Sequence, residues 1–350
     1  MSTTIFALRA RAMIAALLLA VAFAAPSPAH GDAGAPACPP PLQPPTPQEL
    51  AAAQAVPPQD RGALWRVTKD GRTSHLYGTI HIGRLGWAFY GPQMSAALTA
   101  SDVLALELDL FDPQLASRLS AASRPDGVPP LVLPPGLQAR LQRRLEAACL
   151  PPAAVAAFAD MHPALQVATL MTLVARSDGL EPGYGQEFIL AGLAQRFGRP
   201  VVGLESPEQQ VGALLSGGPE VVLRELDQNI AQIEDGRARL LILRLADNWE
   251  RGDVAALEQY EQWCDCIVSE DDRARMRAVN DDRNQHMADG IARLHGEGKR
   301  VFAAVGVLHM SGAKALPTLL TGMGFNVERV EFANAPPAAV MPAAPLAAAH

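Results

Sequence analysis

Two tetrapeptides of one form, Gly78-Thr79-Ile80-His81 and Gly306-Val307-Leu308-His309, each set an imidazole just past an apolar run. The runs are His75–Ile80 and Val301–Leu308, and both read as buried strands. An imidazole there can ligate a cation, accept a proton from water or return one to a leaving group. Gly78 and Gly306 carry no side chain, which lets a second backbone or a ligand come close. Two carboxylates stand in similar places: Glu107 in the run Val103–Leu110, and Glu205 at the end of Arg199–Glu205. Alternation in the first run puts Glu107 and Asp109 on the face opposite Leu106 and Leu108. A carboxylate in such a strand is costly unless it is paired or bound to a metal. Two imidazoles and two carboxylates suit a first-row divalent cation. The same four groups could instead serve as general base and electrostatic partner with no metal at all.

Arg283 and Asn284, in Asp281-Asp282-Arg283-Asn284, have donors for a substrate carboxylate or a carbonyl oxygen that gains charge. The alternative is a solvated helix face. His162, His286 and His295 fall in helical surroundings and read as surface or capping residues. The chain has no glycine-rich phosphate loop, no G-x-S-x-G elbow and no H-E-x-x-H pair, which excludes the commonest nucleotide-binding, serine-hydrolase and zincin readings.

These side chains need elements to hold them. Leu64–Val67, the turn Lys69-Asp70-Gly71-Arg72 and His75–Ile80 predict a hairpin. A short helix over Gln93–Ala100 leads to the strand Val103–Leu110. The second tetrapeptide is likewise followed by a helical stretch and a strand, Val327–Phe332. One β-turn-α-β unit therefore occurs twice, at opposite ends of the folded region. Between them the spacing predicts helices over Leu137–Ala148, Ala153–Ala175, Gln186–Arg196, Glu220–Arg251 (broken at Gly236), Asp253–Trp263 and Arg273–Leu294. Ser206-Pro207-Glu208 reads as a helix start. The expected fold is α/β: a mixed central sheet built from two β-α-β halves that close on each other, each with its G-x-x-H, and a helical insert over about 112–296.

The 350 residues have a net charge of −7, only 5% aromatics and no long basic run, so nucleic acid is not an expected partner. Arg9 and Arg11, the uncharged stretch Ala12–Ala25 and the small residues after it predict a signal peptide over 1–29. No second long apolar segment follows, so no integral membrane segment is expected after cleavage. The high Ala, Arg and Pro usage suggests a GC-rich bacterium, and so a periplasmic or secreted protein. Residues 30–61 are proline-dense and predict an extended arm, and the Ala/Pro-rich 333–350 a disordered tail. Four cysteines in an oxidising compartment favour two disulfides. The preferred pairing is Cys38–Cys149 with Cys264–Cys266. The C-x-C pair also admits half of a metal site or a redox motif.

Leu64-Trp65, Tyr77-Gly78-Thr79-Ile80-His81, Leu106-Glu107, Val202-Gly203-Leu204-Glu205, Asp282-Arg283-Asn284 and Val305-Gly306-Val307-Leu308-His309, in that order, resemble the TraB/GumN (Tiki-like) family from about residue 62 to 332. The resemblance implies that His81, Glu107, Arg283 and His309 share one site. It also implies a fold related to the erythromycin-esterase and haem-binding ChaN-like proteins. Animal members are metal-dependent proteases using manganese or cobalt, and bacterial relatives are tied to peptide-pheromone shutdown. In Tyr184-Gly185-Gln186-Glu187 this chain has Glu187 where bacterial relatives usually carry Asp; Tyr184, Glu187 and Asn284 are the expected substrate contacts. The expected activity is that of an exported hydrolase of peptides. His81, Glu107 and His309 would hold manganese, cobalt or zinc, Glu205 would act as base or fourth ligand, and Arg283 and Asn284 would steady the oxyanion. The alternatives are a binding protein for metal, haem or a short peptide, and a metal-free His/Glu/Arg hydrolase.

Overall fold

The computed structural model describes residues 38–39, 44–124, 130–159 and 161–332. The expected signal peptide (1–29), parts of the proline-rich arm and the tail (333–350) lie outside the described residues. Within the arm expected to be extended stands a helix, α1 (Pro47–Ala55). Thr46 and Glu49 form a reciprocal capping box at its start, and Pro47 occupies the first turn. The Thr-x-x-Glu spacing outweighs the proline content there.

The first strand, β1 (Ala63–Lys69), turns into β2 (Arg72–Thr79) through Asp70 and Gly71. Both turn residues take positive φ, 50° and 71°, which Asp-Gly tolerates. Helix α2 (Pro92–Ala100) then leads to β3 (Val103–Leu106). The strand is shorter than the apolar run: Asp109 Oδ1 accepts from the Phe111 N–H at 2.9 Å and closes a turn, so Glu107 lies just past the strand rather than in it. Helices α3 (Leu115–Ser123), α4 (Pro135–Ala147), α5 (Pro152–Ala159), α6 (Pro163–Leu173) and α7 (Gln186–Arg196) follow. The continuous helix expected over Ala153–Ala175 is divided because Pro163 starts α6 and His162 caps it, accepting from Ala164.

Strand β4 (Val201–Gly203) is followed by α8 (Pro207–Leu214), where Ser206 and Gln209 form a second capping box. Then come α9 (Pro219–Glu234), α10 (Arg237–Glu250), α11 (Val254–Glu258), α12 (Tyr260–Trp263) and α13 (Glu270–Met276). A π turn, Arg277–Asp281, joins α13 to α14 (Asp282–Gly296). Strand β5 (Val301–Gly306) stops before His309, which sits in a 3₁₀ turn, Val307–Met310. Helix α15 (Leu316–Gly322) and β6 (Asn326–Val330) complete the fold.

The six strands form one mixed sheet in the order β4-β3-β5-β2-β1-β6. Strands β4, β3, β5 and β2 are mutually parallel, while β1 is antiparallel to both β2 and β6. The two halves therefore interleave instead of facing each other. The first unit steps from β2 over β5 to β3; the second steps from β5 over β2 and β1 to β6. Helix α7 packs on β3 and β4, and α14 on β5 and α15. A second apolar cluster, with Leu141, Leu145, Val167, Leu226 and Ile230, gives the helical region its own core. Trp249 of α10 is fully buried and ties that region to the sheet, its indole N–H donating to Gly78 O at 2.8 Å. His295, expected at the surface, is 2% exposed and clasps α14 to the hairpin through Ser74 Oγ at 2.9 Å and Lys69 O at 3.0 Å.

Disulfides join Cys38 to Cys149 and Cys264 to Cys266. The first spans 111 residues. In the chain-entropy model a loop of about 100 residues is worth about 4.7 kcal/mol. Among the described residues, no helix is long and apolar enough to cross a membrane.

Candidate functional site

The four adjacent parallel strands β4, β3, β5 and β2 end at one edge of the sheet, the edge where open α/β sheets place ligands. Thr79 pairs with Gly306, so both G-x-x-H stretches leave the sheet side by side. The Gly78 position backs onto Val307: an added Cβ would meet its Cγ2 at 2.8 Å. The glycine of the first tetrapeptide thus makes room for the second. On the side of β5 away from β2, Leu106 of β3 pairs with Gly203 of β4, and the Glu205 N–H donates to Glu107 O at 2.9 Å, which holds the two carboxylate-bearing residues together.

Arg283 lies between these carboxylates. Its Nη2 donates to Glu107 Oε2 at 2.7 Å, and its Nε to Glu205 Oε1 at 2.9 Å. Nη2 also donates to Glu205 Oε2, making the second pair bidentate. Nη1 donates to Val279 O in the π turn at 2.9 Å. Of the five guanidinium N–H groups one remains. Glu107 accepts two further bonds, from the Gly306 N–H at 2.8 Å and from Gln210 Nε2 at 3.0 Å. Burial would raise its pKa, but His309, Arg283 and His81 nearby, with the Gly306 N–H, hold it down at about 2. Both Glu205 oxygens accept from Arg283, one bond each, so this carboxylate is paired with the guanidinium.

The two imidazoles differ in setting. His309 is 5% exposed, and its Nδ1 meets Asn284 Oδ1 at 2.6 Å. Asn284 Nδ2 donates to Lys314 O at 2.8 Å, so its Oδ1 is the acceptor and His309 Nδ1 carries the proton. His309 Nε2 is left with a lone pair. Burial pushes the His309 pKa down to about 4, against the upward pull of Glu107. Asn284 itself is fully buried and orients this ring, which displaces it from the substrate-contact role. His81 is 63% exposed, and its Nδ1 lies 3.0 Å from Glu187 Oε1. The same oxygen accepts from Thr79 Oγ1. The Glu187 charge lifts the His81 pKa to about 9, an effect that solvent around an exposed ring weakens. Both rings converge on Gly306. The point its Cβ would occupy lies 3.2 Å from Glu107 Oε1, 3.5 Å from His309 Cδ2 and 3.9 Å from His81 Nε2. The imidazoles are thus no more than two such radii apart.

These settings fix a pH dependence. His309 has a folded pKa below the ordinary 6.5, so the unfolded chain binds that proton first and stability falls as pH drops from 6.5 towards 4. His75, pushed to about 4 by burial and Arg66, acts in the same window. The Glu107 contribution is present above 4.5 and lost as pH falls towards 2. His81 works oppositely: its contribution is full below 6.5 and lost as pH rises through about 9. Urea midpoints are therefore expected to decline from pH 6.5 to 4, and His309→Gln to flatten that limb. An equally steep limb in His309→Gln would contradict the assignment.

The donor set fits a first-row divalent cation in its chemistry. His81 Nε2, His309 Nε2 and Glu107 Oε1 offer two nitrogens and an oxygen, and each imidazole has an oxygen partner on its other nitrogen, as ligating histidines do. The fit is of donors rather than distances: among the described residues, no three His, Cys, Asp or Glu side chains stand close enough to hold an ion as placed. A cleft of about 410 Å³ opens beside Glu205, lined also by Asp109, Phe111, Leu115, Arg118 and Pro207; the two histidines and Glu107 do not line it. Tyr184 stands in a 3₁₀ turn with its carbonyl against Gly83, and the next residue, Gly185, packs on the His81 carbonyl. Sequence reasoning missed Gln210, whose signal was the Ser206-x-x-Gln209 capping box that fixes α8. It also missed Thr79, which lies inside the first tetrapeptide.

A model of the TraB/PrgY/gumN family matches residues 63–329. No curated protein and no solved structure matches the chain.

Proposed function

The chain belongs to the TraB/PrgY/gumN family, and we propose that it is an exported, metal-assisted hydrolase of peptides. The observation that carries this reading is the convergence of His81, Glu107 and His309 on Gly306, beside Arg283. His81 Nε2, His309 Nε2 and Glu107 Oε1 would hold the ion. A divalent cation there would polarise a carbonyl and make water a better nucleophile near neutral pH. Asn284 holds the His309 ring by its Nδ1 and Glu187 holds the His81 ring by its Nδ1, where an ion on His81 Nε2 would have to displace the proton that Glu187 favours. Arg283 offsets the charge of Glu107 and Glu205 and keeps one N–H for a developing oxyanion. Glu205 supports Arg283.

A second reading is favoured by the His81–Glu187 pair. It keeps His81 cationic while His309 is neutral, so the two rings could donate and accept protons with no metal. The test is cleavage of a peptide library by the purified mature protein, with and without chelator and with manganese, cobalt or zinc added back. Cleavage lost with chelator and restored by one ion is expected. Cleavage indifferent to chelator favours the second reading. Peptide or metal binding with no cleavage overturns both in favour of a binding protein.

A further inference from the structure

We propose that the Cys264–Cys266 disulfide is a thiol–disulfide exchange site, opened by small-molecule or peptidyl thiols attacking Cys266 with help from the Tyr260 hydroxyl. The pair spans a sequence separation of only 2, against 111 for Cys38–Cys149. A cross-link removes unfolded-chain entropy in proportion to the logarithm of loop length, so the short ring constrains almost nothing in the fold. Its surroundings give exchange a direction. Cys264 is 5% exposed, whereas Cys266 is half-buried and can be reached from solvent. The Cys266 N–H donates to Cys264 Sγ at 3.3 Å, which suits Cys264 to leave as a thiolate. Tyr260 Oη lies 3.6 Å from Cys266 Sγ. A disulfide sulfur carries no hydrogen, so the hydroxyl is the donor and draws electron density from the sulfur under attack. Burial pushes the Tyr260 phenol up to about 12, so it remains a donor at any physiological pH.

The step balances as follows. A thiolate RS⁻ attacks Cys266 Sγ, the Cys264–Cys266 bond breaks, and its electron pair departs on Cys264. A second thiolate attacks the R sulfur of the mixed disulfide and releases RSSR and the Cys266 thiolate. The two protons from the thiols end on the two cysteines; two thiols are oxidised and one disulfide is reduced.

The oxidised mature protein is incubated with reduced glutathione in one arm and a cysteine-containing peptide in another, then acid-quenched, alkylated and mapped by mass spectrometry. Cys264–Cys266 is expected to open at least about tenfold faster than Cys38–Cys149, with the adduct on Cys266 and the alkyl group on Cys264. Tyr260→Phe is expected to slow the opening. Opening in one arm only assigns the thiol source and supports exchange. Equal rates for the two disulfides, opening by neither thiol, an adduct on Cys264, or an unchanged rate in Tyr260→Phe overturns the proposal.

Discussion

An Arg283→Leu protein is expected to lose about 3–5 kcal/mol of stability, the usual cost of removing one partner from a buried ion pair. The pair itself adds little relative to an apolar core, but its breakage strands two carboxylates. Glu107 and Glu205 have side chains 9% and 2% exposed, and both rely on Arg283. Their backbones are joined by the Glu205 N–H bond to Glu107 O, so the charges cannot move apart. Without the guanidinium, Glu107 loses one of the groups that hold its pKa down, and the upward push of burial is opposed only by His309, His81 and the Gly306 N–H. Relative to wild type the folded variant then binds protons at Glu107 more readily, so the stability gap between the two narrows as pH is lowered from 7 to 5, the His309 and His75 limb being common to both. Urea unfolding at both pH values reads this directly. Arg283→Lys, which keeps the charge but not the bidentate geometry, should fall between. A loss under about 1 kcal/mol, or a gap to wild type that does not narrow on acidification, would remove Arg283 from the centre of the site.

The residues of this cluster could be read from the sequence, but their partnerships could not. His81, Glu107, Glu205 and His309 each sit one to three residues past a strand. Apolar runs with a polar residue at one end show that position directly, because a parallel strand buried on both faces has little room for polarity before its end. The order of strands is a different matter. Nothing in Val301–Gly306 says that it enters between β2 and β3, and that insertion is what sets Gly306 against Glu107. Roles also depend on contacts far apart in sequence. Asn284 reads as a substrate contact until its side chain is seen committed to His309 and Lys314. Nothing in the sequence around Glu205 says that Arg283, 78 residues on, donates to both its oxygens. The apolar run Val103–Leu110 outlasts its strand because the Asp109 side chain starts a local turn by accepting the Phe111 N–H. The helix at Pro47–Ala55 was hidden by its proline-rich surroundings, although Thr46 and Glu49 signalled it.

The His309→Gln protein is expected to retain its fold and lose about 10²–10⁴-fold in peptide hydrolysis, the range that a positioned imidazole contributes. Glutamine is close in volume and can still donate an amide hydrogen to Asn284 Oδ1, so the buried hydrogen bond need not be orphaned. What it lacks is the basic ring nitrogen, Nε2, bonded to the Cδ2 that lies against Gly306. Whether that lone pair holds an ion or takes a proton, its loss removes the step. Asn284→Ala tests the same nitrogen from the other side: it leaves the imidazole in place but frees it to rotate, with an expected loss of about 10–100-fold, the range for oxygen partners of ligating histidines. Metal titration of each variant separates the two uses of the nitrogen. If His309 is a ligand, affinity falls with activity in both; if it is a base, affinity is unchanged while activity falls. Should His309→Gln keep more than a tenth of wild-type hydrolysis with a native unfolding transition, the convergence of the two histidines on Gly306 would be a feature of packing and not of chemistry.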